Sequence, residues 1–172
     1  MNKKIYEQLQ KETIVTEYII KEIDKPRSDD YIPMEVPNID SSFKAYMDYR
    51  TITNKNSEQY KLQELATTDD NGLRTINGKY LVALGTYYSD GCGEEFDVLL
   101  DSGKTIRVIT GDIKQDIHTD DKNMMTKVTD TKCNILEFIV DTRMLDEKAL
   151  RLGDVSCLGL EGNIVSINKI IK

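Results

Sequence analysis

The sequence predicts a mainly β domain with a few short helices (α+β), preceded by a helical or extended N-terminal arm. Three observations carry this. From Tyr80 onward the chain holds five short segments, YLVALGTYY, EEFDVLL, KTIRVIT, NILEFIVD and NIVSINKII, rich in β-branched and aromatic residues. Turn signals separate them at Asp90-Gly91, Asp101-Ser102-Gly103 and Glu161-Gly162-Asn163. A single brief helix interrupts them, DEKALRL, which Asp146 caps and Gly153 ends. Short strands with one small helix favour a compact barrel over a doubly wound sheet. The barrel proper is expected at about 80–172, within a domain spanning 41–172.

Residues 1–40 read differently. Lysine, glutamate and isoleucine dominate early, and all three prolines follow at Pro26, Pro33 and Pro37. Prolines at that spacing favour an extended path. Ile5, Leu9, Glu12, Thr16, Ile19 and Ile23 trace a weak heptad, while VTEYIIKEI fits a strand equally well. The region is read as a stalk, linker or oligomerising arm, a possible assembly contact.

Residues 41–66 predict a helical lead-in. Ser41 or Ser42 would cap SFKAYMDYR, with Phe43, Tyr46 and Met47 on one face. Asn56 or Ser57 would cap SEQYKLQELA, with Tyr60, Leu62 and Leu65 as core contacts. The turn signals Asp70-Asn71-Gly72 and Asn77-Gly78 then predict a short hairpin around LRTI.

Composition bounds the function. The net charge of −7 argues against non-specific binding to nucleic acid or to an anionic membrane, both of which need clustered Lys and Arg. The charged start MNKKIYEQLQKETIVTEY has no apolar core of a signal peptide, and no apolar run reaches bilayer length. Cys92, Cys133 and Cys157 lack CxxC spacing and read as free or buried thiols. No Walker or Rossmann glycine loop and no Ser-His-Asp or Cys-His arrangement is present, so no cofactor is expected.

Two carboxylates stand out. Asp112 follows TIRVIT and a glycine, and Glu137 interrupts the apolar run ILEFIV. A buried charge is costly unless paired, protonated or used. Strand alternation equally allows Glu137 to face solvent while Leu136 and Phe138 face inward. Asp112 equally suits a turn acceptor. His118, the only histidine, forms D-x-x-x-D-x-H-x-D with Asp112, Asp116 and Asp120. An extended path would bring the four to one side, as a cation site requires. A loop histidine bonding backbone carbonyls, or contacting substrate, fits the same residues, and no metal is expected. Tyr80, Tyr87 and Tyr88 offer faces for sugar rings, and one of the adjacent pair should face outward.

The order of these motifs resembles the three-aspartate (3D) domain of bacterial cell-wall proteins. VALGTYYSDGCGEEFDVLLDSG, GDIKQDIHTD and NILEFIVD stand where that family carries its three aspartates. Asp112 matches the second, Glu137 takes the place of the third, and Gly85 falls near the first, so that carboxylate is missing. The phrases SFKAYM, SEQYKLQ, ALGTYY, GDIKQDIHTD and EFIVD are also similar to a group of Firmicutes phage and mobile-element proteins. The first likeness implies a six-stranded double-psi β-barrel, related to lytic transglycosylases that cleave peptidoglycan glycan strands. It implies Glu137 as acid/base, Asp112 as its partner, and His118, Lys114, Tyr87 and Asp120 as substrate contacts. The implied setting is the cell wall or a virion. A catalytically inert assembly module of a phage tail or conjugative element is the alternative.

Overall fold

The structure, a computed structural model, describes residues 31–171. The heptad, Pro26 and the VTEYIIKEI segment of the predicted arm lie outside the described residues. Two α-helices and eleven strands follow in chain order. They are β1 (Tyr31–Met34), β2 (Tyr46–Asp48), α1 (Glu58–Leu65), β3 (Thr67–Thr68), β4 (Arg74–Ile76), β5 (Lys79–Leu84) and β6 (Glu95–Leu100). Then come β7 (Thr105–Ile113), β8 (Thr126–Thr129), β9 (Lys132–Asn134), β10 (Glu137–Val140), α2 (Glu147–Leu152) and β11 (Ile164–Ile170).

Nine strands form one mixed sheet, ordered β1-β11-β6-β7-β5-β10-β2, with β4 attached to β5 and β3 to β4. The strands β8 and β9 form a separate hairpin. The fold is therefore mainly β with two helices, as expected, but the large sheet is open at β1 and β2 and is not closed by hydrogen bonds. The pairings of β5 with β7 and of β10 with β2 are parallel. The N-terminal half of β5 pairs with β4 and its other half with β10, so β5 is held along both edges.

The sheet separates two apolar clusters. Val82, Leu84, Val98, Val108, Phe138 and Val140 belong to the larger one, joined by Leu145 and Ala149 near α2. Leu81, Ile109 and Ile139 form the smaller one on the other face, where Leu62 and Ala66 of the α1 region, Met47, Tyr49 and Ile76 pack against them. Alternation along β5 and β10 assigns neighbouring residues to opposite clusters. The described residues before β2 join the domain, with Met34, Val36 and Ile39 packed against the larger cluster.

Several local expectations hold. Ser57 caps α1 by accepting the Tyr60 N–H at 3.1 Å. Asp146 caps α2, which ends on left-handed Gly153 at φ 66°. Asn77 and Gly78, at φ 49° and 76°, join β4 to β5 through a two-residue turn of the type that needs positive φ.

Others are overturned. The helix expected over SFKAYMDYR is an extended segment leading into β2 and a 3-10 turn at Tyr49–Thr51. Its backbone is claimed from elsewhere: Asp154 accepts the Lys44 N–H, Asn134 accepts the Ala45 N–H, and the Ala45 carbonyl accepts the Phe138 N–H. Neither serine caps a helix; Ser41 Oγ accepts the Ile164 N–H and Ser42 Oγ donates to Asp40. Tertiary partners outweigh weak helix propensity here. Leu65 is 71% exposed rather than core, because α1 rests on the frame Leu62, Gln63 and Ala66. NILEFIVD is not one strand. It breaks at Ile135-Leu136, so Glu137 opens β10 instead of lying mid-strand.

Candidate functional site

The register brings the two singled-out carboxylates into one row. Glu137 of β10 lies opposite Ala83 of β5, and Ala83 lies opposite Asp112 of β7. Directly opposed residues share a face, and two strand spacings put the Cα atoms of Glu137 and Asp112 about 10 Å apart. The next row toward the core is Ile139, Leu81 and Ile109, the smaller apolar cluster. Both carboxylates are half-buried at its edge. A register shift makes this possible: Thr110 opposes Val82 and Asp112 opposes Ala83, leaving Gly111 bulged. A Cβ on Gly111 would stand 2.6 Å from Ile139 Cδ1 and about 3.1–3.2 Å from Leu81, so a larger residue there would have to displace the Ile139 side chain and press on Leu81.

Asp112 is fixed from two sides. Its Oδ1 accepts the Gln59 Nε2 donor of α1 at 3.2 Å and the Ile113 N–H at 2.9 Å. It lines a 370 Å³ pocket with Met47, Thr53, Ser57 and Gln59. Gln59 was not predicted as a site residue. Its signal was periodic: Gln59, Leu62, Gln63 and Ala66 share one helical face.

Near Glu137 lies a buried cation. Lys114 follows β7, is 7% exposed, and donates from Nζ to the Asn134 carbonyl at 3.2 Å and to Thr126 Oγ1 at 3.4 Å. Burial pulls its ammonium down to about 8, and the charge of Glu137 partly offsets that fall. Lys114 thus sits inside the fold beside Glu137 rather than on a solvent-facing rim.

The remaining predicted residues spread along the loops after β5 and β7. Tyr87 is 37% exposed and meets the buried Tyr88 edge-on, ring centroids 5.0 Å apart. One tyrosine of the pair faces out, but in a turn rather than a strand. The Asp116–His118 segment is a 3-10 turn, which breaks the extended path a D-x-x-x-D-x-H-x-D cation site would need. Asp116 accepts from Thr86 Oγ1 at 2.7 Å, tying the two loops together, and His118 is exposed. Asp120 turns inward and accepts the N–H groups of Met124 and Met125 at 2.7 and 2.9 Å. Among the described residues no group of three His, Cys, Asp or Glu side chains is placed to hold a metal ion.

Gly85, which the sequence resemblance puts near the first 3D aspartate, lies under the loop at Asn123. A Cβ there would overlap the Asn123 carbonyl oxygen. The three cysteines are free. Burial, reinforced by Asp112 and Glu58, pushes the Cys92 thiol up to about 11, so it is no thiolate nucleophile at neutral pH. Among the described residues no helix is long and apolar enough to cross a membrane. Comparison of the chain with protein-family models, curated proteins and solved structures gave no match.

Proposed function

We propose that this chain is a cell-wall-associated protein that binds peptidoglycan glycan strands across the Glu137–Ala83–Asp112 row and cleaves them as a lytic transglycosylase does. The shared row is the observation that carries the reading. Two half-buried carboxyl groups flank Ala83, which is itself buried, so a sugar would meet the pair along their exposed edges. Tyr87 supplies an aromatic face and His118 a polar contact on the adjoining loops. The parallel pairs β5/β7 and β10/β2 favour a double-psi arrangement over a simple meander, because hairpins cannot join parallel strands.

In this reading the Glu137 carboxyl gives its proton to the glycosidic oxygen as the C1–O bond breaks. Its carboxylate then takes the proton of the same sugar's 6-hydroxyl, whose oxygen closes on C1. The product is a 1,6-anhydro sugar, the acid is regenerated, and no water is consumed. Asp112, held by Gln59, orients the substrate and faces the developing positive charge. Such a protein works in the cell wall or from a virion.

A second reading rests on Lys114. Glu137 is the carboxylate whose charge most supports that buried ammonium. As a structural counter-charge it would leave the domain an inert assembly module of a phage tail or conjugative element. Incubating the protein and Glu137→Gln with purified peptidoglycan separates the two. Mass spectrometry of 1,6-anhydro muropeptides and co-sedimentation with sacculi are the measurements. Products from the wild type but not the variant establish cleavage and its acid. Sedimentation without products reduces the protein to a glycan binder. Neither activity overturns the cell-wall reading and favours the assembly module.

A further inference from the structure

A second cavity, of 590 Å³, lies between α1 and the segment from Tyr49 to Lys55, and shares Ile52 and Thr53 with the pocket that Asp112 lines. Its size is that of small-molecule sites. Its lining is rich in donors. Arg74, 7% exposed, forms its floor: Nε donates to Gln63 Oε1 at 3.0 Å, Nη2 to the Gln63 carbonyl at 2.7 Å, and Nη1 to Thr68 Oγ1 at 2.9 Å. Its guanidinium carbon stands 4.2 Å from the centre of the Tyr49 ring. Among the described residues Arg74 makes no salt bridge, and neither does Lys55 at the mouth. Gln63 is 6% exposed and lines the same cavity, yet its Nε2 has no hydrogen-bond partner. The amide is not simply reversed, because its oxygen is required by Arg74 Nε–H. Arg50 also lines the cavity, with its guanidinium bound to Asp48. Glu64 is the one carboxylate in the lining and is exposed.

We propose that this cavity binds a small organic anion carrying a planar ring. The anionic head meets Lys55 and Arg74 and takes up the vacant Gln63 Nε2 donor after a small side-chain adjustment. The ring lies between Tyr60 and Ile52, both half-buried in the lining. In a chain of net charge −7, this local surplus of cations and donors favours an anionic partner, although Asp141 already acts on Arg74 and Asp48 binds Arg50. The inference uses neither carboxylate of the peptidoglycan reading, although Ile52 and Thr53 line both this cavity and the Asp112 pocket.

The probes are AMP for a phosphate head and benzoate for a carboxylate head, with adenosine and inorganic phosphate as controls. They are titrated at millimolar concentration into 15N-labelled protein. A saturable shift of the Gln63 side-chain amide with AMP or benzoate is expected, and the stronger of the two names the head group. Controls should bind at least about tenfold more weakly. The exposed substitution Lys55→Glu, and separately Tyr60→Ala, should each weaken binding about tenfold while the rest of the spectrum keeps its folded dispersion. No saturable shift with AMP or benzoate overturns the proposal. Equal binding of adenosine overturns the anionic head, equal binding of phosphate overturns the ring, and an unaffected Lys55→Glu overturns the location.

Discussion

Gly85 shows how closely one residue is constrained by the loop above it. The Asn123 carbonyl oxygen occupies the space a Cβ would need, and it also accepts the Tyr87 N–H at 3.3 Å. Packing therefore excludes any side chain at Gly85. Gly85→Asp would push the 121–124 loop off the end of β5 and cost on the order of 3 kcal/mol, seen as a lowered urea midpoint with unchanged slope. Glu137 makes the opposite kind of contact, one felt through charge. Removing it as Glu137→Gln takes away the attraction that offsets Lys114 burial, so the Lys114 ammonium should titrate at lower pH than in the wild type. A 13Cε-lysine NMR titration reads this directly; an unmoved Lys114 would mean that Glu137 does not face it.

At the scale of elements, α1 carries both functional proposals, since Gln59 reaches Asp112 and Gln63 holds Arg74. The helix has only eight residues and leans on its cap. Ser57→Ala removes the acceptor of the Tyr60 N–H and should cost about 1 kcal/mol, with a lowered melting temperature and weakened Asp112–Gln59 contact. This helix, its cap, α2 and most strands were legible because each satisfies a local rule of periodicity, capping or turn chemistry. What was not legible depends on distant partners. The SFKAYMDYR segment has a helix-like pattern but gives its backbone groups to Asp154, Asn134 and β10. The hairpin β8/β9 was missed because TKVT is polar and largely exposed and carries no apolar face to announce a strand. The carboxylates Asp112 and Glu137 were visible as charges in apolar runs, but their shared row needed the bulge at Gly111. The Arg74–Gln63 cavity left no sequence signal, because its parts come from α1, β4 and the turn after β2.

Across the described residues, the paired carboxylates and buried lysines make stability rise with pH, while the raised thiols of Cys92 and Cys133 oppose that rise above about pH 9. Asp48 and Asp141 are held below the usual carboxylate range, Asp48 by Arg50 and Thr142 and Asp141 by Arg143. Their contribution is complete above the ordinary carboxylate pKa and is lost as pH falls through their folded values. Lys114 acts at the other end. Its folded pKa of about 8 lies below the ordinary 10.5, so between those values the unfolded chain binds more protons and stability rises with pH. The buried ammonium of Lys44, lowered by the same desolvation and bound to the Ser42 and Gly162 carbonyls, adds to that slope. The stability maximum should thus sit on the alkaline side of neutrality despite the repulsion of seven net negative charges. Chemical denaturation of the wild type and Lys114→Met at pH 7 and pH 9.5 isolates the term, since surface charges are common to both. Relative to the variant, the wild type should gain on the order of 2 kcal/mol over that interval. A difference that stays constant with pH would mean that Lys114 is solvated and that its hydrogen bonds to Asn134 and Thr126 do not hold it inside the fold.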